Sequence, residues 1–384
     1  MTGEPRYLSR AIPEGQPWQG ALSVCRRLRR DGFEAWLVGG CIRDLLLQRE
    51  VVDVDIATSA TPEQVEACFF KTVSVGRAFG VIIVLEGGHR FEVATFRADG
   101  IYIDGRRPEG VIFTDAAGDV ARRDFTINAL LMDPEKGTII DHVGGCQDLE
   151  SRCLRVVGDP WARLREDRLR VLRGIRFAAG LGLSWDPTSW AAVCQTDLQG
   201  LSRERVVQEI DKGLGSSNPG AWLRMLEASG HLPEVFPLTT AEPGATLLDH
   251  LEGSPDARII AALGVVDGSS WWETLPLSRD RQRRLAWLQE GTKNLLTASV
   301  ADRRRWLRHP DGADLAALVG EKAQQWRAME PATLAPLLTP KDLLALGRRP
   351  GPRLGQLLRE VEDAQLEGRL ATTAEALAWV VAQP

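Results

Sequence analysis

The chain has 384 residues, is 44% hydrophobic and 26% charged, and carries a formal net charge of −5. These are ordinary globular values, and at roughly 100–200 residues per domain they predict about two to four domains. No run of about 20 apolar residues is present, which excludes a membrane-spanning helix, and the polar first 16 residues lack the apolar core of a signal peptide. The cysteines, Cys25, Cys41, Cys68, Cys146, Cys153 and Cys194, contain no CxxC pair. That argues against a disulfide framework or zinc ribbon and predicts reduced thiols in a cytoplasmic protein with no obligate protein partner.

Taken in order, residues 35–38 read as a short apolar strand ending at Gly39-Gly40. Residues 51–56 alternate Val52, Val54 and Ile56 against Asp53 and Asp55, the pattern of a strand with one acidic face. Thr61-Pro62-Glu63 opens a helix with a threonine cap and proline in the first turn. Residues 81–85 and 91–96 form a strand pair joined by Gly87-Gly88. Beyond Leu149 strand signals fade, and Leu/Ala/Arg/Glu segments at helical spacing take over, broken near 216–220, 239–244, 309–310 and 349–352. The fold class expected is α+β: a small mixed-sheet head (1–149), a helical neck (150–240) and a helical body and tail (241–384). Arginines cluster at 26–30, 163–176, 279–284 and 303–308. Basic helix faces of this kind bind phosphates despite the acidic total, or are simply solvated faces. Arg303, Arg304 and Arg305 are expected to track an RNA backbone.

A strand running into Gly39-Gly40 and then a helix presents backbone N–H groups suited to a triphosphate, although a Gly-Gly turn alone is commonplace. Arg43 and Asp44 follow in that helix. Asp53 and Asp55, two apart on a strand, point the same way and repel unless a cation lies between them. Mg²⁺ favours one or two carboxylates plus phosphate oxygens, so these two are the expected metal ligands. Glu92 lies opposite Phe91, Val93 and Thr95 in its strand. If that strand neighbours the Asp53 strand, three carboxylates meet in a two-metal phosphoryl-transfer site; otherwise Glu92 is an exposed strand residue. Arg122-Arg123-Asp124-Phe125-Thr126-Ile127-Asn128 offers guanidinium forks for phosphate, with Asp124 and Asn128 for ribose hydroxyls; it also reads as a plain helix start.

In the segment 164–173, read as one helix, Glu166, Asp167 and Arg170 project from one side. One reading is an intrahelical ion pair. The other is base recognition: a carboxylate beside a guanidinium complements the amine and ring nitrogen of cytosine or adenine, and mismatches guanine and uracil.

These residues carry a resemblance. The run Leu37-Val38-Gly39-Gly40-Cys41-Ile42-Arg43-Asp44 with Asp53 and Asp55 resembles the catalytic motif of class II CCA-adding enzymes and bacterial poly(A) polymerases. Arg122 to Leu130 is similar to their ribose motif, Asp141-His142-Val143-Gly144-Gly145 with Asp148 to their hinge motif, and Glu166-Asp167 with Arg170 to their base-reading motif. Leu201-Ser202-Arg203-Glu204-Arg205 with Glu209 resembles the segment that buttresses that motif, so Glu166, Arg203, Glu204 and Arg205 are expected in support. The resemblance implies a CCA tRNA nucleotidyltransferase using Mg²⁺, CTP and ATP on the tRNA 3′ end, with nucleotide held by Gly39, Gly40, Arg43, Arg122, Asp124, Asn128, Asp167 and Arg170. A-adding tRNA nucleotidyltransferase and poly(A) polymerase remain alternatives within the family, and a catalytically silent RNA-binding protein is the alternative outside it. No His-Asp dipeptide occurs, so the phosphohydrolase domain of some relatives is not expected. Residues 97–121 look like the full-length flexible loop that accompanies A addition.

Overall fold

A computed structural model describes residues 5–74, 77, 80–99, 111–264, 271–330 and 334–383. The chain divides into two compact units, Met1–Asn218 with Met225–Val235, and Pro219–Arg224 with Phe236–Pro384. The residues expected as head and neck thus lie mostly in one unit.

The first unit begins with β1 (Arg6–Ser9), α1 (Trp18–Arg30), β2 (Ala35–Val38), α2 (Gly40–Leu46), β3 (Asp55–Thr58), α3 (Pro62–Cys68), β4 (Thr72–Val73), β5 (Val81–Glu86) and β6 (His89–Thr95). It continues through β7 (Arg97–Asp99), β8 (Val111–Phe113), α4 (Ala116–Ala121), β9 (Leu130–Met132) and β10 (Thr138–Asp141). Eight of these strands form one mixed sheet in the order β1-β10-β9-β2-β3-β6-β5-β4. The anticipated hairpin is present: Gly87 and Gly88 both take positive φ, 58° and 82°, which a two-residue strand turn requires. Thr61 caps α3 in a reciprocal capping box with Gln64. Leu37, Ile56, Ile82, Val93 and Met132 of the sheet, with Ala21, Val24 and Leu28 of α1, are fully or almost fully buried.

Two expected elements differ. The strand read over 51–56 starts only at Asp55. Its partner β2 ends at Val38, opposite Asp55, where Gly39 turns the chain into α2, so 51–54 has no neighbour to pair with on that side. The local alternation survives, with Val54 buried between exposed Asp53 and Asp55. The single helix read over 164–173 is two helices, α6 (Pro160–Glu166) and α7 (Leu169–Leu181), following α5 (Gly145–Glu150) and β11 (Cys153–Leu154). Asp167 between them is extended, at φ −146° and ψ 101°. Its carboxylate accepts from the Leu169 backbone N–H at 3.1 Å and from Arg205 at 2.7 Å, a side-chain alternative to helix continuation. β12 (Ser184–Trp185), α8 (Pro187–Gln195) and α9 (Arg203–Leu214) complete this part.

The second unit is helical from α10 (Pro219–Ala228, shared with the first) and α11 (Leu232–Val235, which closes the first) through α12 (Glu242–Leu248), α13 (Pro255–Leu263), α14 (Arg279–Asn294), α15 (Val300–Arg308), α16 (Gly312–Val319), α17 (Glu321–Met329), α18 (Pro340–Ala345), α19 (Pro352–Leu366) and α20 (Thr373–Val381). Its arginines are largely internal ties. Arg284 reaches Asp256 at 3.0 Å, Asp311 at 2.8 Å and Asp314 at 2.6 Å, joining α14 to α13 and α16. Arg305 meets Asp302, Glu362 and Asp363, and Arg304 meets Glu330 and the Leu366 carbonyl. Arg303 stacks over Trp326 at 4.1 Å. The patch expected to track RNA is therefore engaged in packing α15 against its neighbours. Among the described residues no helix is long and apolar enough to cross a membrane. All six cysteines are free thiols, and burial pushes Cys25 and Cys41 up to about 12.

Candidate active site

β2 delivers the chain to Gly39, whose φ of 78° and ψ of −129° suit glycine alone. A side chain there would also approach the Arg123 guanidinium, since a Cβ would sit 3.1 Å from Nη1. The Gly39 N–H is used by the Leu130 carbonyl, whereas Gly40 begins α2, where the first N–H groups have no partner within the helix.

Beside this turn the acids converge. β3 and β6 run parallel with Ile56 opposite Val93, so the step before brings Asp55 level with Glu92. Asp55 keeps an exposed face while protein crowds its other side. Burial first, then the charges of Glu92 and Asp53, raise its carboxyl to about 6, against the opposing pull of Arg123. Arg123 only partly offsets the burial and the neighbouring negative charge, and a divalent cation is a partner the donor set suits. Among the described residues no three His, Cys, Asp or Glu side chains close into a cage. Asp53 and Asp55 form an open pair instead, the kind Mg²⁺ completes with water and phosphate oxygens.

The segment after α4 is extended at Phe125, and a short 3₁₀ turn, Thr126–Asn128, follows before β9; the helix start considered at Asp124 does not form. Asp124 is buried. Burial opposes its ionisation, yet the charge and hydrogen bonds of Arg173 (2.9 and 2.6 Å), helped by Asn128 and the Phe125 N–H, hold it down to about 2. Asn128 Oδ1 in turn accepts from Arg43 at 2.6 Å, and Arg43 grips Asp44 through Nε and Nη2. Arg43, Asn128, Asp124 and Arg173 therefore form one chain of bonds from α2 to α7. Phe177 lies under it, with the guanidinium carbons of Arg176, Arg43 and Arg173 4.2, 5.1 and 5.5 Å from its ring centre. A cleft of about 410 Å³ opens here, bordered by Arg43, Asp44, Arg176, Phe177 and Lys212.

The base-reading candidates are only partly together. Arg170 and Glu166 form the expected pair at 2.7 Å, shared with Arg163 at 2.8 Å. Arg170 is nearly buried and also donates to the Arg163 and Arg122 carbonyls, which ties α7 to the ribose segment. Asp167 stands at the helix break, held by Arg205 of α9. Arg203 and Glu204 lie on the exposed first turn of α9, while Glu209 further along is buried against Arg176 at 2.7 Å. Sequence reasoning missed Asp119. This α4 carboxylate is 1% exposed and holds Arg122 and Arg123 at 2.7 and 3.0 Å. The spacing i, i+3, i+4 on a helix end was a legible signal. The expected loop has its base in β7 and β8, which pair antiparallel, but its centre at 100–110 lies outside the described residues.

Comparison with known proteins agrees with this geometry. The model of the poly A polymerase head domain matches residues 35–155, that of the RNA and SrmB-binding site of polymerase A matches 186–242, and that of tRNA nucleotidyltransferase domain 2 matches 300–381. The chain is 46% identical to the CCA-adding enzyme of Geobacillus thermodenitrificans (strain NG80-2) over 217 residues, 56% of this chain and 54% of that one, so this match spans about half of that relative. It is 34% identical to the CCA-adding enzyme of Streptococcus pyogenes serotype M3 (strain ATCC BAA-595 / MGAS315) over 94% of this chain and 96% of that one. The crystal structure of Bacillus stearothermophilus CCA-adding enzyme in complex with CTP superposes with a TM-score of 0.83 at 28% identity, covering 96% of this chain and 98% of that chain. With the mixed-sheet head, the convergent acids and a relative matched almost end to end, the chain belongs to the CCA-adding enzyme family of nucleotidyltransferases.

Proposed function

We propose that this protein adds C and A to the 3′ end of tRNA from CTP and ATP without a nucleic-acid template, in the cytoplasm. The observation that carries it is the meeting of Asp53, Asp55 and Glu92 beside the Gly39-Gly40 turn, within one compact unit with the Glu166–Arg170 pair. In this reading residues 1–149 are the catalytic head, 150–240 the neck that reads the base and begins the RNA surface, and 241–384 the body and tail.

Asp53 and Asp55 would hold Mg²⁺, which when bound lowers the pKa of the attacking 3′-hydroxyl and neutralises triphosphate charge. Gly39 and Gly40 let phosphate oxygens approach the backbone, and Arg122, held by Asp119, supplies positive charge to the triphosphate. Glu92, level with Asp55, orients the attacking hydroxyl. Arg43, Asn128 and Asp124 are engaged with one another and with Arg173, so they shape the ribose pocket as a rigid wall. Asp167 accepts the exocyclic amine of cytosine or adenine and Arg170 donates to the ring nitrogen. Arg205 sets the carboxylate's direction, with Glu166 doing the same for Arg170, while Arg203 and Glu204 frame the first turn of α9.

The deciding experiment offers tRNA ending before CCA, after C and after CC, each with CTP or ATP, and sequences the products. With CTP the first two should be extended to a CC end, and with ATP the CC-ending tRNA should be completed to CCA. Addition of A only to the CC-ending tRNA would reassign the protein as an A-adding enzyme, and long A tails on any RNA would reassign it as a poly(A) polymerase.

A further inference from the structure

Asp119 has no place in the expected site, yet its environment is that of a built device. Its side chain is 1% exposed, and both oxygens are occupied. Oδ1 accepts from Arg122 Nε at 3.0 Å and Nη2 at 2.7 Å, and Oδ2 accepts from Arg123 Nη2 at 3.0 Å. One buried carboxylate thus holds two adjacent guanidiniums that would otherwise repel. Arg123 donates once more, from Nη1 to the Asn128 carbonyl at 3.1 Å, and its buried Nε has no partner. Its guanidinium lies against Gly39, one residue beyond the β2 residue paired with Asp55. Its charge is already felt by Asp55 of the acidic cluster.

We propose that Asp119 is a positioning residue that holds Arg123 back from the Asp53–Asp55–Glu92 cluster, so that a divalent cation rather than an internal guanidinium fills it. The proposal rests on the assignment of Asp53 and Asp55 as cation ligands. An arginine whose charge reaches Asp55 is a competitor for the cation, because an ion pair there would satisfy the same charge. Asp119 removes it from the competition by offering a stronger, buried partner with two bonded oxygens. The same grip leaves Arg123 against the turn at Gly39.

The test is direct Mn²⁺ binding to the full-length protein without nucleotide or tRNA, read from the free Mn²⁺ electron paramagnetic resonance signal. Asp119→Asn should weaken Mn²⁺ binding by about fivefold or more, since the freed guanidinium now competes. Adding Arg123→Gln to that variant should restore binding to within about twofold of wild type, because the competitor is gone. Circular dichroism reports whether each variant folds; if Asp119→Asn alone does not, the double variant and Arg123→Gln carry the test, and both should bind Mn²⁺ within about twofold of wild type or more tightly. Wild-type binding in Asp119→Asn, or weak binding that persists when Arg123 is removed, overturns the proposal. Asp55→Ala separates the two claims: if it retains Mn²⁺, the cation-site assignment fails, and if it loses Mn²⁺ while Asp119→Asn does not, only the role of Asp119 fails.

Discussion

The two compact units use arginine in opposite ways. In the second unit Arg284 sits among Asp256, Asp311 and Asp314, and Arg305 among Asp302, Glu362 and Asp363, each joining helices distant in sequence. In the first unit Arg43, Arg173 and Arg176 converge on Phe177, and Arg122 and Arg123 on Asp119, all within the region that carries the acidic cluster. There Arg43 and Arg176 border the cleft beside Phe177; in the second unit Arg284 and Arg305 fasten helices, and Arg305 also borders a cleft of about 650 Å³. Arginine density in a sequence therefore announces ion pairing, and only the placement of the carboxylates distinguishes a site from a scaffold.

Mutations can break that contrast. The largest effect is expected in the first unit: Asp53→Ala or Asp55→Ala should reduce kcat for nucleotide addition by about a hundredfold or more while tRNA affinity stays near wild type. Near-normal turnover in either variant would dissolve the two-metal assignment. Arg284→Ala should leave the nucleotide KM values alone and instead lower stability by about 3 kcal/mol in chemical denaturation, because the buried Asp256 loses one of its two arginine partners. A shifted KM for CTP or ATP with unchanged stability would place Arg284 in a substrate site.

Base selection sharpens the contrast further. Asp167→Ala should admit UTP or GTP, with selectivity falling by about 1.5–3 kcal/mol, read as kcat/KM for all four nucleotides. Arg170→Ala should damage CTP and ATP use alike. Strict selectivity in Asp167→Ala would mean that its bond to Arg205 is purely architectural. The smallest effect concerns acid. Asp124 is held at about 2 in the fold, below the ordinary aspartate value, so its contribution is present above pH 4 and is lost as pH falls from there toward 2. That contribution is about 2 kcal/mol, and it should vanish from the acid-unfolding curve of Asp124→Asn.

Much of the head was legible because its signals are local. Glycines at 87 and 88, the Thr61 cap and the alternation around Glu92 each depend on a few neighbouring residues. The Glu92 strand does lie beside the Asp55 strand, the condition on which the reading of Glu92 depended. What was hidden depends on distant partners. The 51–56 strand was shortened by where β2 ends, and the 164–173 helix was broken by an aspartate whose carboxylate meets Arg205, 38 residues away. Helical periodicity continues smoothly through Asp167 and cannot report such a bond. The Arg303–Arg305 run looked like a phosphate track because the acids that engage Arg305 at 362 and 363 lie far along the chain.

The thiols described above have a practical consequence. Cys41 sits two residues beyond Gly39, but burial keeps it protonated to about 12, and Cys25 likewise. Alkylating reagents at neutral pH will therefore pass over the thiol beside the Gly39-Gly40 turn. Cys194, at the end of α8, is the one exposed cysteine. A maleimide dye should attach there first, giving an optical reporter on the helical part of the first unit without a designed cysteine and without chemical injury to the Gly39-Gly40 turn.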